Sequence, residues 1–181
     1  MVLFFGPPGS GKSVQGELLV ERNGWQWIST GQLFRNSEDP EVKQRMIAGE
    51  LIDDALTNKV LNTALSAIDN KTVVVLDGYP RNIEQAQWLI DQLPHHGREI
   101  DCVVEFKVPE EEIVRRLSDR ARAEDVREVI ERRLEIYNEK TNPVLEFLRT
   151  QGITVQTVNG DGLVDEVHER IQGAVEACIQ R

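Results

Sequence analysis

Five short runs rich in apolar and β-branched residues punctuate the chain, at positions 2–5, 26–29, 72–76, 101–107 and 153–158. Longer stretches with apolar residues three and four apart separate them. A strand period alternating with a helix period predicts an α/β fold with a parallel sheet, because parallel neighbours need a crossover of a dozen or more residues between them. Thr72-Val-Val-Val-Leu76 is unbroken in its apolar character, as a central strand covered on both faces must be. Asp77 follows it and is therefore expected at the carboxyl end of that strand, the edge where open α/β sheets bind ligands.

Residues 31–70 show no strand pattern. They read as short helices over 31–35, after Asp39-Pro40 and over 52–68. That is more than a crossover requires, and it predicts an inserted helical subdomain. Further on, Pro109-Glu-Glu-Glu112 places acids in the first turn of a helix that continues through Ile113, Val114 and Leu117. Val126, Val129, Ile130, Leu134 and Tyr137 predict a second helix, beginning by about residue 124 and running towards Asn142-Pro143. Only Arg120-Ala-Arg-Ala123 separates the two.

The chemistry starts at Gly6-Pro-Pro-Gly-Ser-Gly-Lys-Ser13, which joins the first strand to a helix and matches G-x-x-x-x-G-K-[ST]. Glycines there let the backbone turn its N–H groups onto phosphate oxygens at a helix N-terminus; Lys12 adds a point charge and Ser13 a hydroxyl for Mg²⁺. Asp77, in Leu76-Asp-Gly-Tyr-Pro-Arg81, is placed to hold Mg²⁺ through water, and Arg81 carries a planar fork suited to phosphate. Thr30-Gly-Gln-Leu-Phe-Arg35 brings another arginine to the same sheet edge, and Arg116, Arg120, Arg122 and Arg133 come from the two late helices and their junction. At an effective dielectric of about 20, charges about 4 Å apart interact by roughly 4 kcal/mol, so several arginines can offset the repulsion between two polyphosphates. One nucleotide alone does not need so many. Arg115 and Arg132, like any single arginine, are equally accounted for as solvated surface charges.

A chain of 181 residues fits one domain. The net charge of −10 excludes a general nucleic-acid binder, which needs a basic face. Cys102 and Cys178 have no metal-binding spacing, so no zinc is expected, and they suit a reducing cytoplasm. No apolar run approaches a membrane span, and His95, His96 and His168 are expected on the solvated surface.

On the phosphate loop, Thr30-Gly31 with Arg35, Asp77-Gly-Tyr-Pro-Arg81 with Gln85, Val108-Pro109, Arg116, Arg120, Arg122-Ala-Glu-Asp125 and Arg133, the whole chain resembles an adenylate kinase, of the nucleoside monophosphate kinase family. The resemblance implies a P-loop three-layer α/β/α core with a five-stranded parallel sheet (residues 1–29 and 60–181), an AMP-binding helical insert (30–59) and a vestigial lid (120–125). It implies reversible phosphoryl transfer from Mg-ATP to AMP giving two ADP. ATP would be held by Gly9, Ser10, Gly11, Lys12, Ser13, Val14, Arg116 and Arg120, with Arg116 against the adenine. AMP would be held by Thr30, Gly31, Arg35, Gly78, Arg81, Gln85, Arg122 and Arg133. Lys12, Arg81, Arg120, Arg122 and Arg133 would act in catalysis, and Ser13 and Asp77 on magnesium. Thr30 and Gln85 stand where kinases of pyrimidine monophosphates typically carry Ala and Asn, which favours AMP.

Departures from the family pattern are equally legible. Gly11-Lys-Ser-Val14 replaces the usual Gly-Lys-Gly-Thr, Gln32 replaces a common acid near the magnesium, and almost nothing remains of the lid. An open site loses phosphoryl groups to water unless something covers it. Two hypotheses follow: catalysis tolerates the open site with some ATP hydrolysis, or a neighbouring subunit covers it as a homo-oligomer. The competing functions are another nucleoside monophosphate kinase, and a nucleotide-binding regulator or slow ATPase, against which the retained arginines count.

Overall fold

The computed structural model describes residues 1–179. The elements run β1 (Val2–Phe5), α1 (Lys12–Asn23), β2 (Gln26–Ser29), α2 (Thr30–Arg35), α3 (Pro40–Ile47), α4 (Asp54–Ser66), β3 (Val74–Asp77), α5 (Ile83–Gln92), β4 (Cys102–Lys107), α6 (Glu110–Arg120), α7 (Arg127–Ile136), α8 (Asn142–Thr150), β5 (Val155–Asn159) and α9 (Val164–Ile179). The five strands are all parallel, in the order β2-β3-β1-β4-β5.

The period of two along each strand sends alternate residues into two cores. Leu3, Phe5, Leu76 and Val103 face Leu61 and Leu65 of α4, Leu89 of α5, and Val144 and Leu148 of α8. Val2, Phe4, Val75, Val104 and Phe106 face Leu19 of α1 and Ile171 and Val175 of α9. Helices thus cover both faces, giving the three layers expected. Both covered faces explain why β1 and β3 are apolar without alternation.

Several boundaries differ from the expected ones, each for a local reason. β3 starts at Val74 rather than Thr72, because the Thr72 N–H donates to Asp69 O and its carbonyl accepts from Arg98, binding it into a turn. The strand ends on Asp77 itself, not before it. β5 is shifted to Val155–Asn159, since Ile153 donates to Leu148 O and closes the end of α8. α4 begins at Asp54, where the Asp53 carboxylate accepts from the N–H groups of Ala55 and Leu56. Glu124 does not start a helix: the Asp125 N–H donates to Arg122 O in a tight turn, and α7 begins at Arg127. Nor does the helical path end at Asn142-Pro143. A π turn over Tyr137–Thr141, in which Asn142 N–H reaches Tyr137 O, carries the chain into α8 with Pro143 in its first turn, where no donor is missed.

His168 is not on the surface. It is fully buried in α9, with Nδ1 3.2 Å from Gln15 Oε1 of α1 and Nε2 without a partner. His95 is exposed as expected, whereas His96 Nε2 lies 2.8 Å from Asn62 Oδ1. Both cysteines are free and buried. No helix among the described residues is long and apolar enough to cross a membrane.

Candidate active site

At the carboxyl edge of the sheet, the turns leaving β1, β2 and β3 meet α6 and α7 around a cleft of about 430 Å³. The loop from β1 to α1 forms its floor. Lys12 Nζ turns back over this loop and donates to Gly6 O at 2.7 Å, Pro7 O at 2.9 Å and Ser10 Oγ at 3.2 Å. All its hydrogens are placed, yet no carboxylate among the described residues lies at ion-pair distance. Burial therefore pushes the Lys12 ammonium down to about 8; Asp77 opposes the shift, and Arg81, Arg133 and Arg120 add to it. The loop also has to lie close under α6: a Cβ at Gly9, whose φ is +83°, would come within 2.8 Å of Leu117 Cγ.

Asp77 closes β3 with its Oδ2 3.3 Å from Ser13 Oγ and 3.2 Å from Ser29 Oγ, both hydroxyls donating. A carboxylate beside a hydroxyl at a phosphate loop is a hard oxygen set, which fits Mg²⁺ held through one side chain, water and substrate phosphate. Among the described residues there is no group of three or more His, Cys, Asp or Glu that could hold a metal by itself.

The turn after β3 builds the opposite wall. Thr30 Oγ1 donates to Gly78 O at 2.8 Å and Arg81 Nε donates to the same carbonyl at 2.7 Å. Gly78 has φ +79°, and a Cβ there would approach Thr30 Oγ1 to 2.9 Å. The Tyr79–Pro80 peptide is cis. Desolvation lowers the Arg81 pKa against the pull of Asp77. Gln85 is buried, its Oε1 accepting from the Arg81 N–H at 2.7 Å and its Nε2 donating to Asp54 Oδ1 at 2.7 Å.

The late arginines are organised by an acid that the sequence reading named only within the Arg122-Ala-Glu-Asp125 motif and gave no role. Asp125, whose side chain is fully buried, takes a bidentate fork from Arg120 (2.7 and 2.6 Å) and a longer bond from Arg133 (3.4 Å). Burial opposes its ionisation, but the Arg120 fork and the Arg122 N–H hold its carboxyl below the usual range. Arg133 is pushed down to about 10, by burial first and then by Arg81 and Arg120. Glu124 Oε1 is buried without a hydrogen bond, 3.8 Å from Arg35 Nη1. The pair of acids inside an arginine run, Arg120-Ala-Arg-Ala-Glu-Asp125, was the available signal for both.

Every residue expected at the site lines this cleft except Ser10, which is buried beneath the loop with its hydroxyl oxygen accepting from Lys12. Arg116 is tethered rather than loose: Nε donates to Glu112 at 2.6 Å and Nη1 to Gly160 O at 3.1 Å. Arg122 is exposed at the rim. Arg115 stays on the surface with Glu112 and Asp119, as a solvated charge would. Arg132 is exposed as well and reaches Glu50 at 3.4 Å, across to the loop between α3 and α4. The same loop brings Gly49 against Val129 and Arg133. Between α6 and α7 the chain spans residues 121–126 alone.

Residues 4–153 match the family model described as adenylate kinase. The adenylate kinases of Mycobacterium ulcerans (strain Agy99) and Mycobacterium marinum (strain ATCC BAA-535 / M) are each 42% identical over 175 residues, covering 93% of this chain and 95% of the relative. That of Mycolicibacterium smegmatis is 41% identical over 180 residues, or 96% of this chain and 98% of the relative. With the phosphate loop, the arginine-lined cleft and the parallel core in place, these likenesses over nearly the full length establish that the chain belongs to the adenylate kinase family.

Proposed function

We propose that this adenylate kinase transfers the terminal phosphoryl group of Mg-ATP to the phosphate of AMP, reversibly, giving two ADP. One observation carries the reading: a phosphate loop with Lys12 and an arginine wall with Arg35 and Arg81 line a single cleft, together with Arg120 and Arg133. Two anion-binding walls around one space suit two nucleotides.

The acceptor phosphate is already anionic at neutral pH, so no general base is required. An AMP phosphate oxygen attacks the γ-phosphorus in line, the bond to the β,γ-bridging oxygen breaks, and that oxygen leaves as the β-phosphate of ADP. Lys12 and the loop amides hold the donor phosphates, with Arg116 on the donor adenine. Arg35 and Arg81 hold the acceptor phosphate. Arg120, Arg122 and Arg133 spread over the transferring group, and preorganised charge of this kind is the main catalytic term for phosphoryl transfer. Asp125 keeps Arg120 and Arg133 in place before substrate arrives. Ser13 and, through water, Asp77 would hold Mg²⁺, which supplies charge neutralisation between the β- and γ-phosphates when bound.

Residues 30–59 serve as the AMP-binding insert and residues 120–125 as the remnant of the lid. The Glu50–Arg132 and Arg35–Glu124 contacts support an insert that closes onto α7 and the lid turn. Thr30 and Gln85 select adenine. The buried free cysteines and the net charge of −10 suit a cytoplasmic enzyme without nucleic-acid partners.

The test is a coupled assay for ADP with AMP, UMP, CMP and GMP as acceptors, run beside ATP hydrolysis without acceptor and a size-exclusion mass. AMP should exceed the other acceptors in kcat/KM by about a hundredfold or more, the scale of discrimination by paired polar groups. Equal use of a pyrimidine acceptor, or tight binding of ATP and AMP without ADP formation, overturns the assignment.

A further inference from the structure

The amide of Gln85 is held from both ends, and the residue that holds its nitrogen end has no place in the reaction described so far. Gln85 Oε1 accepts from the Arg81 backbone N–H at 2.7 Å; Gln85 Nε2 donates to Asp54 Oδ1 at 2.7 Å. Asp54 also accepts from Asn82 Nδ2, at 2.9 Å on Oδ2 and 3.2 Å on Oδ1. Asn82 in turn is fixed, because its Oδ1 accepts the Gln85 backbone N–H at 2.7 Å. Gln85 is 2% exposed, so the network sits where a wrong polar pairing costs most.

We propose that Asp54 is a positioning residue that fixes which way round the Gln85 amide meets the acceptor base, and so selects adenine over 6-oxopurines. The inference rests on the reading of Gln85 as a contact to that base. A primary amide carries two N–H donors and two oxygen lone pairs, so one of each remains free after the bonds to Asp54 and Arg81 are made. Adenine offers an acceptor at N1 beside a donor at N6, whereas hypoxanthine offers a donor at N1 beside an acceptor at O6. A flipped amide would read the second pattern instead of the first. Two groups oppose the flip: the Arg81 N–H, which would meet the amide nitrogen donor against donor, and the Asp54 carboxylate, which accepts at both oxygens and has no hydrogen to give a flipped amide oxygen. Asparagine at position 54 cannot do the same: with its oxygen towards Gln85, its nitrogen would face Asn82 Nδ2 across 2.9 Å, donor against donor, and with its oxygen towards Asn82 it would push the Gln85 nitrogen away.

The experiment measures kcat and KM for AMP and for IMP in the Asp54→Asn, Gln85→Ala and unaltered enzymes, with thermal unfolding of each. Asp54→Asn should raise KM for AMP about tenfold, the effect of one net hydrogen bond, with the loss on KM rather than kcat. The AMP-over-IMP ratio of kcat/KM should fall by about tenfold, since the flip that suits IMP is then opposed by the Arg81 N–H alone. A drop in stability alone would lower both substrates together and leave that ratio in place. If Gln85→Ala raises KM for AMP but Asp54→Asn leaves the ratio unchanged, the positioning role is overturned and the acceptor site stands. If Gln85→Ala leaves KM for AMP unchanged, the acceptor-site reading falls, and the role of Asp54 with it.

Discussion

Raising the pH should disarm Lys12 in the free enzyme before any other residue of the phosphate loop is affected. Its ammonium is desolvated and set among Arg81, Arg133 and Arg120, which brings its pKa from 10.5 down to about 8. At pH 7 about nine tenths of free enzyme molecules carry the charge, and at pH 9 about one tenth do. A terminal phosphate has its second pKa near 6, so above pH 7.5 the substrates no longer change charge. The kcat/KM for ATP should therefore halve near pH 8 and fall about tenfold per further unit, because this ratio reports the free enzyme. Bound triphosphate supplies the missing counter-charge and raises the Lys12 pKa again, so kcat at saturating ATP should hold through pH 9.5. Initial rates of ADP formation across pH 6.5–9.5, with ATP varied at saturating AMP, separate the two constants. A flat kcat/KM up to pH 9.5, or a fall carried equally by kcat, would refute the argument. The same shift acts on stability with the opposite sense. Between about 8 and 10.5 the unfolded chain binds more protons at Lys12 than the folded one, so this group's contribution to apo stability rises with pH while ATP capture declines.

Three further outcomes are expected. Arg98 is buried and donates to Ile68 O, Asp69 O (2.6 Å) and Thr72 O (2.7 Å), so Arg98→Ala strands those carbonyls and should cost about 2–4 kcal/mol, read as a lower urea midpoint with unchanged m-value. A Cβ at Gly16 would meet Trp27 Nε1 at 2.9 Å; Gly16→Ala should destabilise by about 1–3 kcal/mol despite alanine's better helix propensity, and shift the Trp27 emission. Burial, with Arg22 adding to it, lowers the pKa of His168, so the unfolded chain takes up its proton first and stability is lost as pH falls below about 6.5; His168→Leu should flatten the dependence of Tm on pH between 7 and 5. An unchanged acid slope in that variant counts against His168 as the titrating group.

The site was legible wherever it depends on local chain chemistry. The phosphate loop needs glycines, a lysine and a hydroxyl at fixed offsets between a strand and a helix, and those offsets survive in one dimension. Arg35, Arg81 and Asp77 were legible because they follow strands at the sheet edge. What escaped were relations between side chains distant in sequence or hidden by polarity. Asp125 stands in its motif without a role until its carboxylate is seen buried under the fork of Arg120 and the single longer bond from Arg133. His168 sits in a polar stretch, but the face of α9 that carries it packs on α1 and meets Gln15, 153 positions away. Arg132 is the exposed charge expected of it, and what the sequence did not carry is its partner, Glu50 in the loop between α3 and α4.

From the sequence alone came the alternation of strand and helix, the parallel sheet and the phosphate loop, because apolar periodicity and turn chemistry are local and leave their period in the chain; the full set of residues that line one cleft came through the family resemblance of its motifs. Tertiary packing alone decided how that set is wired. It turned Ser10 beneath the loop, gave Lys12 a lowered pKa, clamped Arg120 on Asp125 and closed both ends of the Gln85 amide on Arg81 and Asp54. The physical reason is that burial, charge pairing and hydrogen-bond direction depend on the distance and orientation of groups from separate elements, which exist only once the helices have docked on the sheet.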